Sequence, residues 1–99
     1  MTSKIEALYT QTIEKLSDEA AFASKMIKHF SRIDITDTSF KVIPTDARYE
    51  RWSEYRLAIL RDLRVLRTWT VEDFRIAFHN NDYGLQTLVY APVRSAYWQ

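Results

Sequence analysis

The first third of the chain repeats apolar residues every three to four positions. Ile5, Leu8, Tyr9, Ile13 and Leu16 share a face with Thr12, and Ala20, Ala23, Met26, Ile27 and Phe30 carry the stripe to about Ile33. That period is the signature of an amphipathic α-helix. In its middle, Ser17-Asp18-Glu19 reads as a fresh start, with a hydroxyl able to accept from free N–H groups and acids in the first turn. Two helices, 3–16 and 17–33, are therefore the first expectation. The stripe stays nearly in phase across Ser17 with no Gly or Pro to break it, so one continuous helix is the alternative.

Residues 34–39 are rich in turn and cap formers, and Phe40-Lys41-Val42-Ile43 is short, β-branched and bounded by Pro44. The pattern predicts a loop and a brief strand, with Pro44 pushing Ile43 toward extended geometry. Thr45-Asp46 then offers a cap for the longest predicted helix, 46–69, in which Tyr49, Trp52, Ile59, Leu60, Leu63 and Leu66 lie on one arc. Leu57 and Val65 fall off that arc. Thr70-Val71-Glu72-Asp73 matches a capped start, with a shorter carboxylate where the capping box prefers Glu. Val71, Phe74, Ile76, Ala77 and Phe78 extend this helix to His79. Asn80-Asn81-Asp82-Tyr83-Gly84 is the strongest turn signal in the chain. Residues 85–91 read as a strand able to pair with 40–43, and Pro92 confines it to an edge or an end.

The expected fold is α+β and mainly helical: three or four helices packed around Trp52, Leu60, Leu63, Phe74 and Phe78, with a short two-stranded antiparallel ribbon. An all-α arrangement is the alternative. One compact helical domain spans residues 1–99, a length that buries roughly two thirds of the unfolded surface. No repeat, low-complexity tract or linker divides it.

Composition narrows the functional classes. The net charge is +1, with six basic against six acidic residues in 1–43 and eight against seven in 44–99. Such a balance supplies no bulk attraction to nucleic acid or anionic membrane. There is no cysteine, hence no disulfide, no thiolate catalysis and little zinc chemistry. Met1-Thr2-Ser3-Lys4-Ile5-Glu6 lacks the apolar run of a signal peptide, and no stretch approaches the roughly 20 apolar residues of a membrane span. The expectation is a cytoplasmic protein that engages no membrane. Gly84 is the one glycine, too few for a dinucleotide fingerprint or a P-loop, and no cofactor is implied.

Candidate chemistry concentrates after residue 44: eight arginines and no lysine, all three tryptophans and five of six tyrosines. Guanidinium forks and amphipathic rings carry much of the binding energy at interfaces. At about 100° per residue, however, the helix scatters Arg48, Arg51, Arg56, Arg61, Arg64 and Arg67 and interleaves Asp46, Glu50, Glu54 and Asp62. A solvated helix whose arginine stems cover apolar neighbours explains much of that pattern. The local excess is Arg56, Arg61, Arg64 and Arg67, opposed by Asp62 alone and followed by Trp69. Tyr97 and Trp98 form a second candidate patch, as an anchor for a partner or as rings that fold back to finish the core. These seven residues are the candidate binding set.

Catalysis has weaker support. His29 and His79 are the only imidazoles, and a metal site drawn from His79 and Asp82 with Asp73 lacks the spacing of known histidine and glutamate metal motifs. His79 is better read as a cation compensating a helix C-terminus. No serine lies in a glycine-flanked elbow, and Asp34 with Asp37 or Glu50 with Glu54 read as turn and surface groups. The leading expectation is a non-catalytic protein-binding domain: an adaptor, inhibitor or accessory factor, by analogy of size with phage and mobile-element proteins, acting on a larger protein partner. A nucleic-acid-binding domain using Arg61, Arg64 and Arg67 with Trp69 or Tyr55 is second. Glu72 and Asp73, at the start of the helix that would enter a DNA groove, argue against groove reading. A structural subunit of a homo-oligomer is third.

Overall fold

Ser3 precedes the first apolar stripe, and its Oγ accepts the Glu6 backbone N–H at 3.1 Å, the bond of a helix N-cap. From there, in the computed structural model, which describes residues 3–98, α1 runs unbroken over Lys4–His29. The expected division at Ser17 is corrected to one helix. With no Gly or Pro in the way, adding a hydrogen-bonded residue costs less than nucleating a second helix. Ser17 caps nothing and instead accepts a hydrogen bond from Arg67 Nη2 at 3.3 Å.

α1 ends earlier than expected, at Phe30, and a strand follows where helix and loop were anticipated. β1 (Ser31–Ile35) pairs antiparallel with β2 (Phe40–Pro44), placing Ile33 opposite Val42 and Ile35 opposite Phe40. The Thr36 N–H donates to Ser39 O at 2.8 Å and the Ser39 N–H to Thr36 Oγ1 at 3.1 Å, closing the turn. The two-stranded ribbon is therefore present, but its expected second strand, 85–91, is not its partner. A local turn closes at far lower entropic cost than a pairing across the whole length of two intervening helices.

α2 (Arg48–Leu66) returns antiparallel along α1. It is shorter at both ends than the expected 46–69. Asp46 stands outside it as a cap, its Oδ1 accepting the Arg48 N–H at 2.8 Å while the same carboxylate pairs with the Arg48 guanidinium. α3 (Val71–Asn80) opens with the capping box anticipated from sequence: Thr70 Oγ1 accepts the Asp73 N–H at 3.0 Å, and Asp73 Oδ2 accepts the Thr70 N–H at 2.9 Å. The expected turn follows, with Asn81, Tyr83 and Gly84 all left-handed (φ 53°, 58° and 64°) around a 3-10 turn at Asp82–Gly84.

Residues Leu85–Tyr90 form a helix, α4, and not a strand. Leu85 and Leu88 lie three apart, so a helical turn buries both together. Lys15 completes the arrangement, its Nζ donating to the carbonyls of Leu88, Val89 and Ala91 at 2.8, 3.0 and 2.7 Å. An ammonium there satisfies carbonyls that a helix C-terminus leaves without donors. Desolvation holds the Lys15 pKa below its usual range. Pro92, expected to limit a strand, instead caps α5 (Val93–Tyr97), where its missing N–H is no loss.

The core lies between α1 and α2 and under α3 to α5. Leu16, Ala23, Ile59 and Phe74 are fully buried and the expected Trp52 and Leu63 nearly so, while the expected Leu60 and Phe78 pack at its margin. Tyr9 fastens the helices beneath it, its hydroxyl donating to the carbonyls of Leu66 and Trp69. The described residues form a body of 56 × 28 × 18 Å with a radius of gyration of 16.8 Å, against about 13 Å for a compact chain of this length. The excess is the ribbon. A 26-residue α1 is about 39 Å long, and five-residue strands add about 17 Å. Their sum matches the long axis, so the ribbon extends beyond the helices as an arm.

Candidate functional site

The seven residues singled out by sequence fall in three places. Arg56 and Arg67 point toward α1: Arg56 Nε donates to Ser24 Oγ at 2.7 Å, and Arg67 Nη2 donates to Ser17 Oγ. Arg61 and Arg64 are exposed and make neither an ion pair nor a side-chain hydrogen bond with another described residue. Trp69, Tyr97 and Trp98 are half-buried on the side of α2 that meets the C-terminal helices. The helix separates Arg56 and Arg67, which share a side, from Arg61 and Arg64 because residues on it diverge by about 100° per position.

The aromatic pair near the C-terminus turns inward. Trp98 packs against Trp52 (ring centroids 4.5 Å apart, 70° between planes) and Tyr55 (4.7 Å), and the Arg51 guanidinium covers its face at 4.5 Å. The Tyr97 hydroxyl donates to Asp62 Oδ2. Burial, reinforced by the Asp62 carboxylate, raises the Tyr97 pKa well above the usual phenol range. Arg94 ties the same segment to α1, its Nε donating to Glu19 Oε1 at 2.6 Å, an oxygen that also accepts the Tyr55 hydroxyl at 2.7 Å. Burial and then the Glu19 hydrogen bond raise the Tyr55 pKa in the same direction. The Arg94 guanidinium lies over Phe22 at 4.6 Å. Cation–π and ring contacts of this kind add roughly 0.5–1.5 kcal/mol each to packing.

Beside this cluster, Asp62, Val65, Trp69, Tyr83 and Leu88 line a cleft of about 420 Å³ on the helical body. Tyr83 overhangs it with its ring 6.1 Å from Trp69. A left-handed backbone is uncommon for an aromatic residue. His79, Asp82 and Asp73, the drawn metal set, are divided by their local roles: Asp73 belongs to the capping box and His79 to the last turn of α3. Among the described residues no three His, Asp or Glu side chains converge, and no helix is long and apolar enough to cross a membrane.

A contiguous exposed apolar surface lies elsewhere, on residues that the sequence alone did not single out. Ile33, Ile35, Phe40 and Val42 are 61%, 79%, 70% and 46% exposed. Their register puts all four on one face of the ribbon, since alternate residues of a strand share a side and paired residues stand opposite. The other face is polar along much of its length, with Arg32 opposite Ile43, Asp34 opposite Lys41, and Arg32 3.6 Å from Asp34. The base of the arm is pinned: the Thr45 N–H donates to Phe30 O at 2.9 Å, and the Arg48 guanidinium covers the Phe30 ring at 4.2 Å. The alternation Ile33-x-Ile35 and Phe40-x-Val42 around a polar turn was the available signal. Assigning Ile33 to a helix and Ile35 to a loop hid it. No protein-family model matches the chain, and no curated protein or solved structure matches it either.

Proposed function

We propose that this chain is a non-catalytic protein-binding domain that meets its partner through the apolar face of the ribbon, in an adaptor, inhibitor or accessory role. The observation that carries the reading is the contiguous exposure of Ile33, Ile35, Phe40 and Val42 on an arm that extends past the core. Fully burying such a side chain is worth about 1.5–3 kcal/mol, and an isolated two-stranded ribbon is marginally stable in water. A partner that covers this face supplies what the helices do not. Contiguous apolar patches of this kind mark interaction sites.

The ribbon thus displaces the arginine helix as the principal contact surface. Arg56 and Arg67 already spend hydrogen bonds on α1, and Trp98 is engaged by Trp52, Tyr55 and Arg51. Arg61 and Arg64 remain as a secondary contact at the outer side of α2. Affinity capture with tagged variants tests the assignment. The wild-type chain and Arg61→Glu/Arg64→Glu should retain a stoichiometric protein partner, and Ile35→Lys/Phe40→Lys should lose it with unchanged helical circular dichroism. Retention by the ribbon variant with loss by the arginine variant returns the contact to α2.

A further inference from the structure

We infer that the occupant of the ribbon face is a second copy of this chain, so that two ribbons pack apolar face to apolar face across a two-fold axis. The inference rests on reading the ribbon as a contact surface and names its partner. Area is the first argument. The four residues are 46–79% exposed, on the order of 500 Å² per chain, so two facing copies bury at most about 1,000 Å², the lower limit for a specific interface.

Shape is the second. Four well-defined clefts among the described residues are lined by residues of the helical body and of the C-terminal segment, none by a ribbon residue. The apolar face is an open strand surface of a two-stranded sheet. Strand faces pack on strand faces at about 10 Å, with alternating side chains interdigitated. Charge is the third argument. Arg32, Asp34 and Lys41 lie on the opposite face of the ribbon and sum to zero with Asp37 of the turn, so the arm carries no net charge that would favour a polyanion or an acidic peptide. Finally, the arm extends past the helices along the 56 Å axis, which lets two arms meet while the bodies stay apart. Such an isologous contact closes on itself and does not propagate into a filament.

The test is sedimentation equilibrium of the purified full chain from about 1 to 100 µM, the weak range that goes with an interface at the lower size limit. The expected result is a mass approaching twice the 11.8 kDa of one chain, with a melting temperature that rises with concentration. Ile35→Asp/Phe40→Asp should weaken self-association at least about 100-fold, the loss of roughly 2.7 kcal/mol, at unchanged helical circular dichroism. Ile35→Thr/Phe40→Thr keeps strand-forming residues, so its monomeric behaviour supports the inference even if the aspartates unfold the arm. Leu57→Asp/Val65→Asp, which removes exposed apolar residues of α2, should remain dimeric. A wild-type chain that stays monomeric to 100 µM overturns the second copy, as does a ribbon variant that stays dimeric. If a monomeric wild type still captures a partner that the ribbon variant loses, only the second copy fails. If the ribbon variant also keeps that partner, the ribbon reading fails with it.

Discussion

The helical body and the ribbon use the same kinds of side chain in opposite ways. In the body, Ile59 and Phe74 are fully buried; on the ribbon, Ile35 and Phe40 are mostly exposed to solvent. The Thr36–Ser39 turn bonds are made, yet among the described residues no second layer covers the apolar side. Local hydrogen bonding and register can therefore define an element whose hydrophobic face has no counterpart among the described residues. Stability and recognition are separated in space: substitutions that damage the core leave the arm's chemistry alone, and the reverse.

Phe74→Ala should give the largest effect, since it empties a fully buried ring site; about 3–5 kcal/mol of unfolding free energy is expected to disappear in urea titrations. Ile35→Thr, on the arm, should change it by less than about 0.5 kcal/mol when measured below the concentration at which the chain associates. Equal losses at the two positions would abolish the contrast. Next comes Lys15→Met. It leaves the carbonyls of Leu88, Val89 and Ala91 without their donor, and a cost of about 1–3 kcal/mol follows for the group left unsatisfied. Hydrogen exchange should accelerate in α4 and α5 and stay unchanged in the ribbon.

Alkaline titration sharpens the same division. Tyr55 and Tyr97 have pKa values raised above the ordinary 10.0, by burial first and then by donation to Glu19 and Asp62. The unfolded chain loses these protons at lower pH than the folded one. Their contribution to stability is complete below about pH 10 and falls as pH climbs above it. Tyr55→Phe and Tyr97→Phe should flatten that fall in melting curves taken from pH 9 to 12, whereas ribbon variants should follow the wild type. The smallest effect is expected at Arg61→Gln/Arg64→Gln, within about 0.5 kcal/mol of wild-type stability. If these arginines contact phosphates, binding of a single-stranded oligonucleotide should weaken steeply between about 50 and 200 mM salt. Salt-independent binding to a protein partner that survives this variant would leave the ribbon as the principal surface.

Much of the body was legible before any coordinates because its signals are local. The stripe from Ile5 to Phe30, the capping box at Thr70 and Asp73, the arc of Trp52, Ile59 and Leu63, and the glycine-containing turn each depend on residues within a few positions of one another. They determine a mainly helical chain, a returning long helix and a break before residue 85. Tertiary structure decided the rest. Residues 85–91, with Thr87 and Val89 and bounded by Gly84 and Pro92, carry strand signals, and the burial of Leu85 and Leu88 together beneath an end capped by Lys15, far away in sequence, selects the helix. Arg56, Arg67 and Trp98 looked available for a partner until the neighbours that engage them, Ser24, Ser17 and Trp52, were placed beside them. The ribbon is the converse case. Its alternation was written in the chain, but only the absence of a packed layer over Ile33, Ile35, Phe40 and Val42 turns four ordinary strand residues into a surface, because burial is a property of what surrounds a side chain and not of the side chain itself.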